Sequence, residues 1–268
     1  MADQPSVESV AAKALALRAL HAGPKTLVLP NAWDAASARV FEAAGFPAIA
    51  TTSAGVALAL GYDDHEAAPL SEMLAAAARI ARAVSVPVTV DFEAGYQLPP
   101  REIVERLIAA GAAGFNFEDT NHHGGAPLID AEVQAERIAA LKAASHAAGV
   151  DLFLNARVDV FIHRQGSLQE QAAEGLRRAA LYRQAGADCT YPILLSDEAI
   201  ISEFVRAVGP INVNLRIGGP LSLQRVAELG VRRVTYAASL FRETRASLER
   251  LAGAVQADVT ALPDLRDV

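Results

Sequence analysis

Cysteine is almost missing from this 268-residue chain. The single thiol, Cys189, excludes an internal disulfide and fits a reducing compartment. Lysine is nearly as scarce, with Lys13, Lys25 and Lys142 the only ones present. No cluster of Lys and Arg occurs and the formal charge is −7, which argues against nucleic acid and anionic membranes as partners. No apolar run reaches the length that spans a bilayer, and the N-terminus lacks the basic, apolar, small-residue order of an export signal. A cytoplasmic location is the expectation. Low-complexity tracts and linkers are lacking too. Residues 1–6 and the tail after Leu262 read as loose ends.

What is present is apolar content of 52%, much of it alanine, arranged in alternation. Eight short apolar runs read as buried strands: 26–29, 48–51, 86–90, 114–117, 152–154, 188–191, 211–213 and 233–236. Helical patterning lies between them, for example over 71–84 and 131–148, and residues 6–21 read as an extra helix before the first strand. Gly45, Gly111, Gly149, Gly186 and Gly230 each stand between a helical segment and the next run, the place of a helix C-terminal glycine. Strands alternating with helices predict parallel strands joined by helical crossovers. Eight units over about 250 residues suit an α/β (β/α)₈ TIM barrel. The expectation is one barrel domain over residues 1–268, with its core at about 25–257. A doubly wound open sheet is the alternative.

The segment VDFEAGY, residues 90–96, is the most informative. Asp91 and Glu93 sit where the third run ends, and residues two apart on extended backbone face the same way. Two close carboxylates repel, and one keeps its proton unless a cation lies between them. Oxygen ligands select a hard ion such as Mg²⁺, Mn²⁺ or Ca²⁺. A solvated loop start is the bland reading of the same two acids. Polar residues recur at the other C-terminal strand ends: Asn31 and Asp34, Thr52 and Ser53, Glu118 and Asp119, Asn155, Arg157 and Asp159, Tyr191, then Asn214 and Arg216. The opposite ends carry Ala, Val, Gly and Pro. Barrel chemistry collects at C-terminal ends, so this asymmetry reads as an anionic metal pocket faced by one arginine.

Five segments, in order, carry a resemblance: LPNAWDAASARVFEAAGFPAIATTSAG (29–55), LGYDD (60–64), DFEAGY (91–96), FED (117–119) and NARVD (155–159). Together they resemble the isocitrate lyase/phosphoenolpyruvate mutase superfamily, over roughly residues 25 to 245. The resemblance implies a Mg²⁺-dependent (β/α)₈ enzyme, with Mn²⁺ as a substitute. It also implies that the chain makes or breaks a C–C or P–C bond next to a 2-oxo acid, through an enolpyruvate-type intermediate. A homodimer or homotetramer that swaps the last barrel helix, here 238–255, is implied as well. Asp91 would bind the metal directly, while Asp64, Glu93 and Glu118 hold its waters. Ser53 with the backbone of Ala54 and Gly55 would meet the oxo-acid end. Arg157 would pair with the substrate carboxylate, and Asn214 lies near the far end. Arg216 joins it by same-face spacing.

The chain departs from the superfamily pattern after Glu118. The lyase branches carry a Lys-(Lys/Arg)-Cys-Gly-His loop there, and the mutase and phosphonopyruvate hydrolase branches a lysine-bearing lid. Here DTNHHGGAPL (119–128) has neither cysteine nor lysine. His122 and His123 are the local candidates for the proton-transfer group, with solvated loop histidines as the competing reading. A lyase, decarboxylase or hydrolase acting on an oxaloacetate-like 2-oxo acid is the leading expectation. A non-catalytic 2-oxo acid binder, and a phosphonopyruvate or phosphoenolpyruvate mutase or hydrolase, are the alternatives. Asp34 reads as a helix cap, Asp159 as the group that orients Arg157, and Cys189 as core.

Overall fold

A computed structural model describes residues 5–260. The tail after Leu262 and residues 1–4 of the expected loose N-terminus lie outside the described residues. Ser6 is not loose. Its hydroxyl accepts the Ser9 N–H at 3.2 Å and caps α1 (Val7–Ala22).

After α1 the chain alternates: β1 (Leu27–Leu29), β2 (Asn31–Ala32), α2 (Ala35–Ala43), β3 (Ile49–Thr51), α3 (Ser53–Leu60), α4 (Leu70–Ala83), β4 (Val88–Asp91) and α5 (Pro100–Ala109). It continues through β5 (Gly114–Glu118), α6 (Ala131–Ala147), β6 (Phe153–Val158), α7 (Val160–His163), α8 (Leu168–Gln184) and β7 (Cys189–Pro192). It ends with α9 (Glu198–Val208), β8 (Asn212–Asn214), α10 (Leu223–Glu228), β9 (Arg233–Thr235) and α11 (Ser239–Thr260). All strand ladders are parallel.

Six strands run in the order β2 to β7, and three in the order β1-β9-β8. The ladders meet at two seams. Pro30 separates β1 from β2; it has no N–H, so the first expected strand, 26–29, ends as β1 and the chain resumes beyond it as a second short strand in the other ladder. At the other seam a single parallel bridge joins Thr190 to Ile211. Strand neighbours therefore follow sequence order around a ring, as in a (β/α)₈ barrel and unlike a doubly wound sheet.

Outward strand residues pack under the helices. Phe115, Phe117, Leu154 and Val158 share a core with Ile103, Leu107, Ile138 and Phe204. A smaller cluster of Leu17, Leu27, Leu29, Ala48, Ala50, Phe153 and Cys189 fills the N-terminal end of the barrel. There α1 acts as the floor, with His21 stacked on Phe153 at 3.9 Å and Arg18 bonded to Asp188 at 2.5 Å. Burial pushes the Cys189 thiol up to about 12, as suits an inert core residue. Asp34 caps α2 in a reciprocal box with Ser37. At the far end, α11 leaves Leu248, Leu251 and Val255 more than half exposed. No helix among the described residues is long and apolar enough to cross a membrane.

Candidate active site

Asp91 is the last residue of β4, and donors hold both of its carboxylate oxygens. Ser53 gives its N–H and hydroxyl to Oδ2 at 3.1 and 3.0 Å, and the Asn116 amide donates to Oδ1 at 3.2 Å. The Asp91 N–H donates to the Thr51 hydroxyl at 2.8 Å, locking the strand end. The sequence reading has Ser53 and Gly55 facing the substrate. Here their donors meet protein acceptors, Asp91 for Ser53 and the Thr52 hydroxyl for Gly55 at 3.4 Å, because Thr52 caps α3. Ala54 follows in the same first turn.

Two residues on, Glu93 has left-handed backbone at φ 50° and is buried. Its Oε1 accepts the Glu66 N–H at 2.7 Å, and its Oε2 accepts the Tyr96 hydroxyl. Gly95 makes the turn between them. At φ 89° it favours glycine, and a Cβ there would lie 2.8 Å from Phe117 Cε2. Burial pushes the Glu93 carboxyl up to about 7; the bonds from Tyr96 and Glu66 oppose the rise, and the charges of Asp91 and Asp64 add to it. Asp64 itself is half-buried in the loop before α4.

Glu118 ends β5, with its side chain 2% exposed. His122 Nε2 lies 2.7 Å from Oε1, and Arg157 Nη1 lies 2.7 Å from Oε2 as an ion pair. Burial raises the Glu118 carboxyl well above its usual range; Arg157 opposes this, while Asp159, Asp91 and Glu93 reinforce it. Burial also lowers His122. His122 is therefore no solvated bystander, since its side chain is 5% exposed. His123 is 44% exposed and reaches Glu66 Oε2 at 2.7 Å, clasping the loop after β5 to the loop before α4.

Arg157 on β6 gives Nε and Nη2 to the two oxygens of Asp159 at 2.7 and 2.8 Å, a fork-on-fork pair. Asp159 is held in turn by the Thr120 hydroxyl and, through its N–H, by Asp119 at 2.8 Å. Asp119 also accepts from the Tyr182 hydroxyl at 2.7 Å and Arg178 at 3.0 Å. The guanidinium that faces Glu118 is thus fixed from behind by buried, fully engaged groups.

Asn214 and Arg216 sit apart from this cluster. Asn214 Oδ1 accepts the Leu194 N–H at 2.8 Å, and both residues line a cavity beyond β7 and β8. A larger cavity, of about 550 Å³, opens near Lys13, Arg79 and Arg82 at the N-terminal end of the barrel, away from the carboxylates. Lys25 and Lys142 also lie outside the site; Lys142 bonds Asp151 and Asp188 at 2.6 and 3.0 Å. Sequence reading missed Glu66, Asn116 and Arg178. Same-face spacing with Glu118 could have found Asn116. Nothing local marks Arg178.

The donor set fits a hard divalent ion. Asp91, Glu93, Asp64 and Glu118 are oxygen donors; burial raises the carboxyls of Glu93 and Glu118, and neighbouring carboxylates add to the rise. Among the described residues no three His, Cys, Asp or Glu side chains converge as direct ligands. One direct carboxylate, with others reached through water, is a pattern that suits Mg²⁺.

Comparison with known proteins agrees with the geometry. The family described as phosphoenolpyruvate phosphomutase matches residues 17–256. An uncharacterized protein of Mycobacterium tuberculosis is 35% identical over 85% of this chain and 86% of its own length. The 2-methylisocitrate lyase of Aeropyrum pernix is 30% identical, covering 85% of this chain and 75% of the lyase. The solved structure of an oxaloacetate acetylhydrolase in complex with its product oxalate superposes with a TM-score of 0.82 at 25% identity, over 98% of this chain and 91% of that one. By the length of the match and the shared barrel, this chain belongs to the phosphoenolpyruvate mutase/isocitrate lyase superfamily, whose members include lyases and mutases.

Proposed function

We propose that this chain is a Mg²⁺-dependent enzyme of an oxaloacetate-like 2-oxo acid, with Mn²⁺ able to substitute. It makes or breaks the C–C bond, or a P–C bond, beside an enolpyruvate-type intermediate, with lysis, decarboxylation or hydrolysis as the net step. The carrying observation is the buried set Arg157–Glu118–His122 beside Asp91 and Glu93 at one barrel mouth. The names of the lyase and acetylhydrolase relatives support the same bond chemistry.

Asp91 would hold the metal, and Asp64, Glu93 and Glu118 its waters. Bound there, Mg²⁺ supplies a Lewis acid for the 2-oxo and carboxylate oxygens of the substrate. Arg157 keeps N–H donors beyond those given to Asp159 and Glu118, and these pair with the substrate carboxylate. When the bond to C3 breaks heterolytically, the electron pair stays with the 2-oxo acid fragment as an enolate. Its return to the 2-oxo acid takes one proton at C3. With no cysteine or lysine in residues 119–128, His122 and Glu118 are the pair that holds that proton. His123, the other candidate, bonds Glu66 and clasps the loop. Ser53 and the start of α3 complete the oxo-acid end by fixing Asp91.

The exposed stripe of Leu248, Leu251 and Val255 on α11 supports a homodimer or homotetramer built by swapping that helix. A cytoplasmic location fits the single buried thiol. A turnover screen tests the reading: oxaloacetate, phosphonopyruvate, isocitrate and substituted malates, with and without Mg²⁺. Metal-dependent product release from a C–C substrate is expected. Release from phosphonopyruvate alone would move the chain to the mutase or hydrolase branch. Metal-dependent binding without turnover would make it a non-catalytic binder.

A further inference from the structure

Arg233 is the largest of the fully buried side chains among the described residues. It stands on β9, opposite β5 in the ring of strands, and gives Nη2 to Asn116 Oδ1 at 3.3 Å across the barrel interior. Among the described residues no group accepts from its Nε or Nη1, and no carboxylate pairs with it. Burial pulls the guanidinium down to about 10, so it stays charged at neutral pH. A buried charge without an acid beside it lowers stability, and an apolar side chain of similar volume would remove that cost. Something other than folding keeps an arginine here.

Asn116 is in register with Asp91 on the neighbouring strand and donates Nδ2 to Asp91 Oδ1 at 3.2 Å. An amide can turn over and exchange its oxygen for its nitrogen, and only a partner of one kind fixes which end faces where. Asn155 gives Nδ2 to the same Asn116 oxygen at 2.8 Å, but it carries both kinds of group and sets no direction. Arg233 has donors alone. It holds the Asn116 oxygen on its own side and thereby turns the nitrogen onto Asp91. The two Ser53 donors fill the acceptor positions of Asp91 Oδ2, whereas Oδ1 meets Asn116 alone and keeps one position open. A reversed amide would set oxygen against oxygen there. We propose that Arg233 is a positioning residue for the metal-binding carboxylate: through Asn116 it fixes Asp91 Oδ1, at a cost in stability. This rests on the Mg²⁺ reading above.

Thermal melting, together with calorimetric titration of oxalate in the presence of Mg²⁺, tests it. Arg233→Met removes the charge and keeps most of the volume. It should melt at or above the wild-type temperature, the reverse of losing a structural residue. It should also bind oxalate about 10-fold more weakly, the worth of one hydrogen bond to a charged group. Asn116→Leu breaks the same path nearer the carboxylate and should weaken binding to a similar extent. In that background Arg233→Met should add less than about twofold, because the two residues act through one chain of contacts. A direct effect of the arginine charge on the ion would be the same in both backgrounds and would overturn the proposal. So would Arg233→Met melting below wild type, or binding oxalate as tightly as wild type or more so. Any of these, with wild type binding oxalate in Mg²⁺, defeats this inference alone. Wild-type protein that binds no oxalate with or without Mg²⁺ would remove the functional reading beneath it.

Discussion

His122 Nε2 lies 2.7 Å from Oε1 of Glu118, and both side chains are at least 95% buried. Burial works on the two groups in opposite senses, raising the acid and lowering the base, and the proposed reaction gives this pair one proton to hold. His122→Asn keeps a polar side chain but cannot carry that proton. It should lower kcat by about 10²- to 10⁴-fold with a small change in KM. Steady-state kinetics on whichever substrate the screen identifies would check this, and an unchanged kcat would assign the proton step elsewhere.

Arg157 is held at three points, two on Asp159 and one on Glu118. Arg157→Lys keeps the charge and loses the fork. It should weaken 2-oxo acid binding by about 1.5–3 kcal/mol while metal affinity stays near wild type. Equal affinity for every 2-oxo acid tested would remove the carboxylate role.

Much of this was legible in the residues, for a physical reason. Apolar runs stop sharply, and Asp91, Glu118 and Arg157 stand as polar residues where such runs end. Glu93 lies near Asp91 as the two-apart spacing predicts, but past the strand end and in left-handed backbone rather than on the extended strand that spacing presumes. The β6 strand runs to Val158, past the expected 154, because Asn155 and Arg157 are inward polar residues of a continuing strand. The burial of His122 was not legible. A polar loop carries no periodicity, and only the fold brings its ring onto Glu118. Glu66, which ties His123, Tyr96 and Glu93 together, was hidden for the same reason.

His21 gives a pH test away from the site. It is buried against Phe153, and burial with the Arg233 charge lowers its pKa from 6.5 to about 3. The unfolded chain binds its proton first, so the contribution is present above pH 6.5 and is lost as pH falls toward 3. The loss is about 1.4 kcal/mol per pH unit in that window. Denaturation curves of wild type and His21→Phe between pH 7 and about 4.5 should diverge, with wild type falling faster. Parallel curves would contradict the assignment.

The outer stripe of α11 predicts assembly. Sedimentation at micromolar concentration should show a dimer or tetramer, and Leu248→Asp with Leu251→Asp should shift it toward monomer. A stable wild-type monomer would refute the swapped helix.

The central claim is that Asp91 anchors a divalent ion on which 2-oxo acid binding depends. Calorimetric titration of oxalate into the wild type and Asp91→Ala, with Mg²⁺ and with chelator, tests it most directly. Wild type should bind only with Mg²⁺, Asp91→Ala should not bind in either condition, and Glu93→Gln, Glu118→Gln and Asp64→Asn should each weaken binding in smaller steps because they reach the ion through water. Oxalate binding by Asp91→Ala with wild-type affinity and the same Mg²⁺ dependence would contradict it.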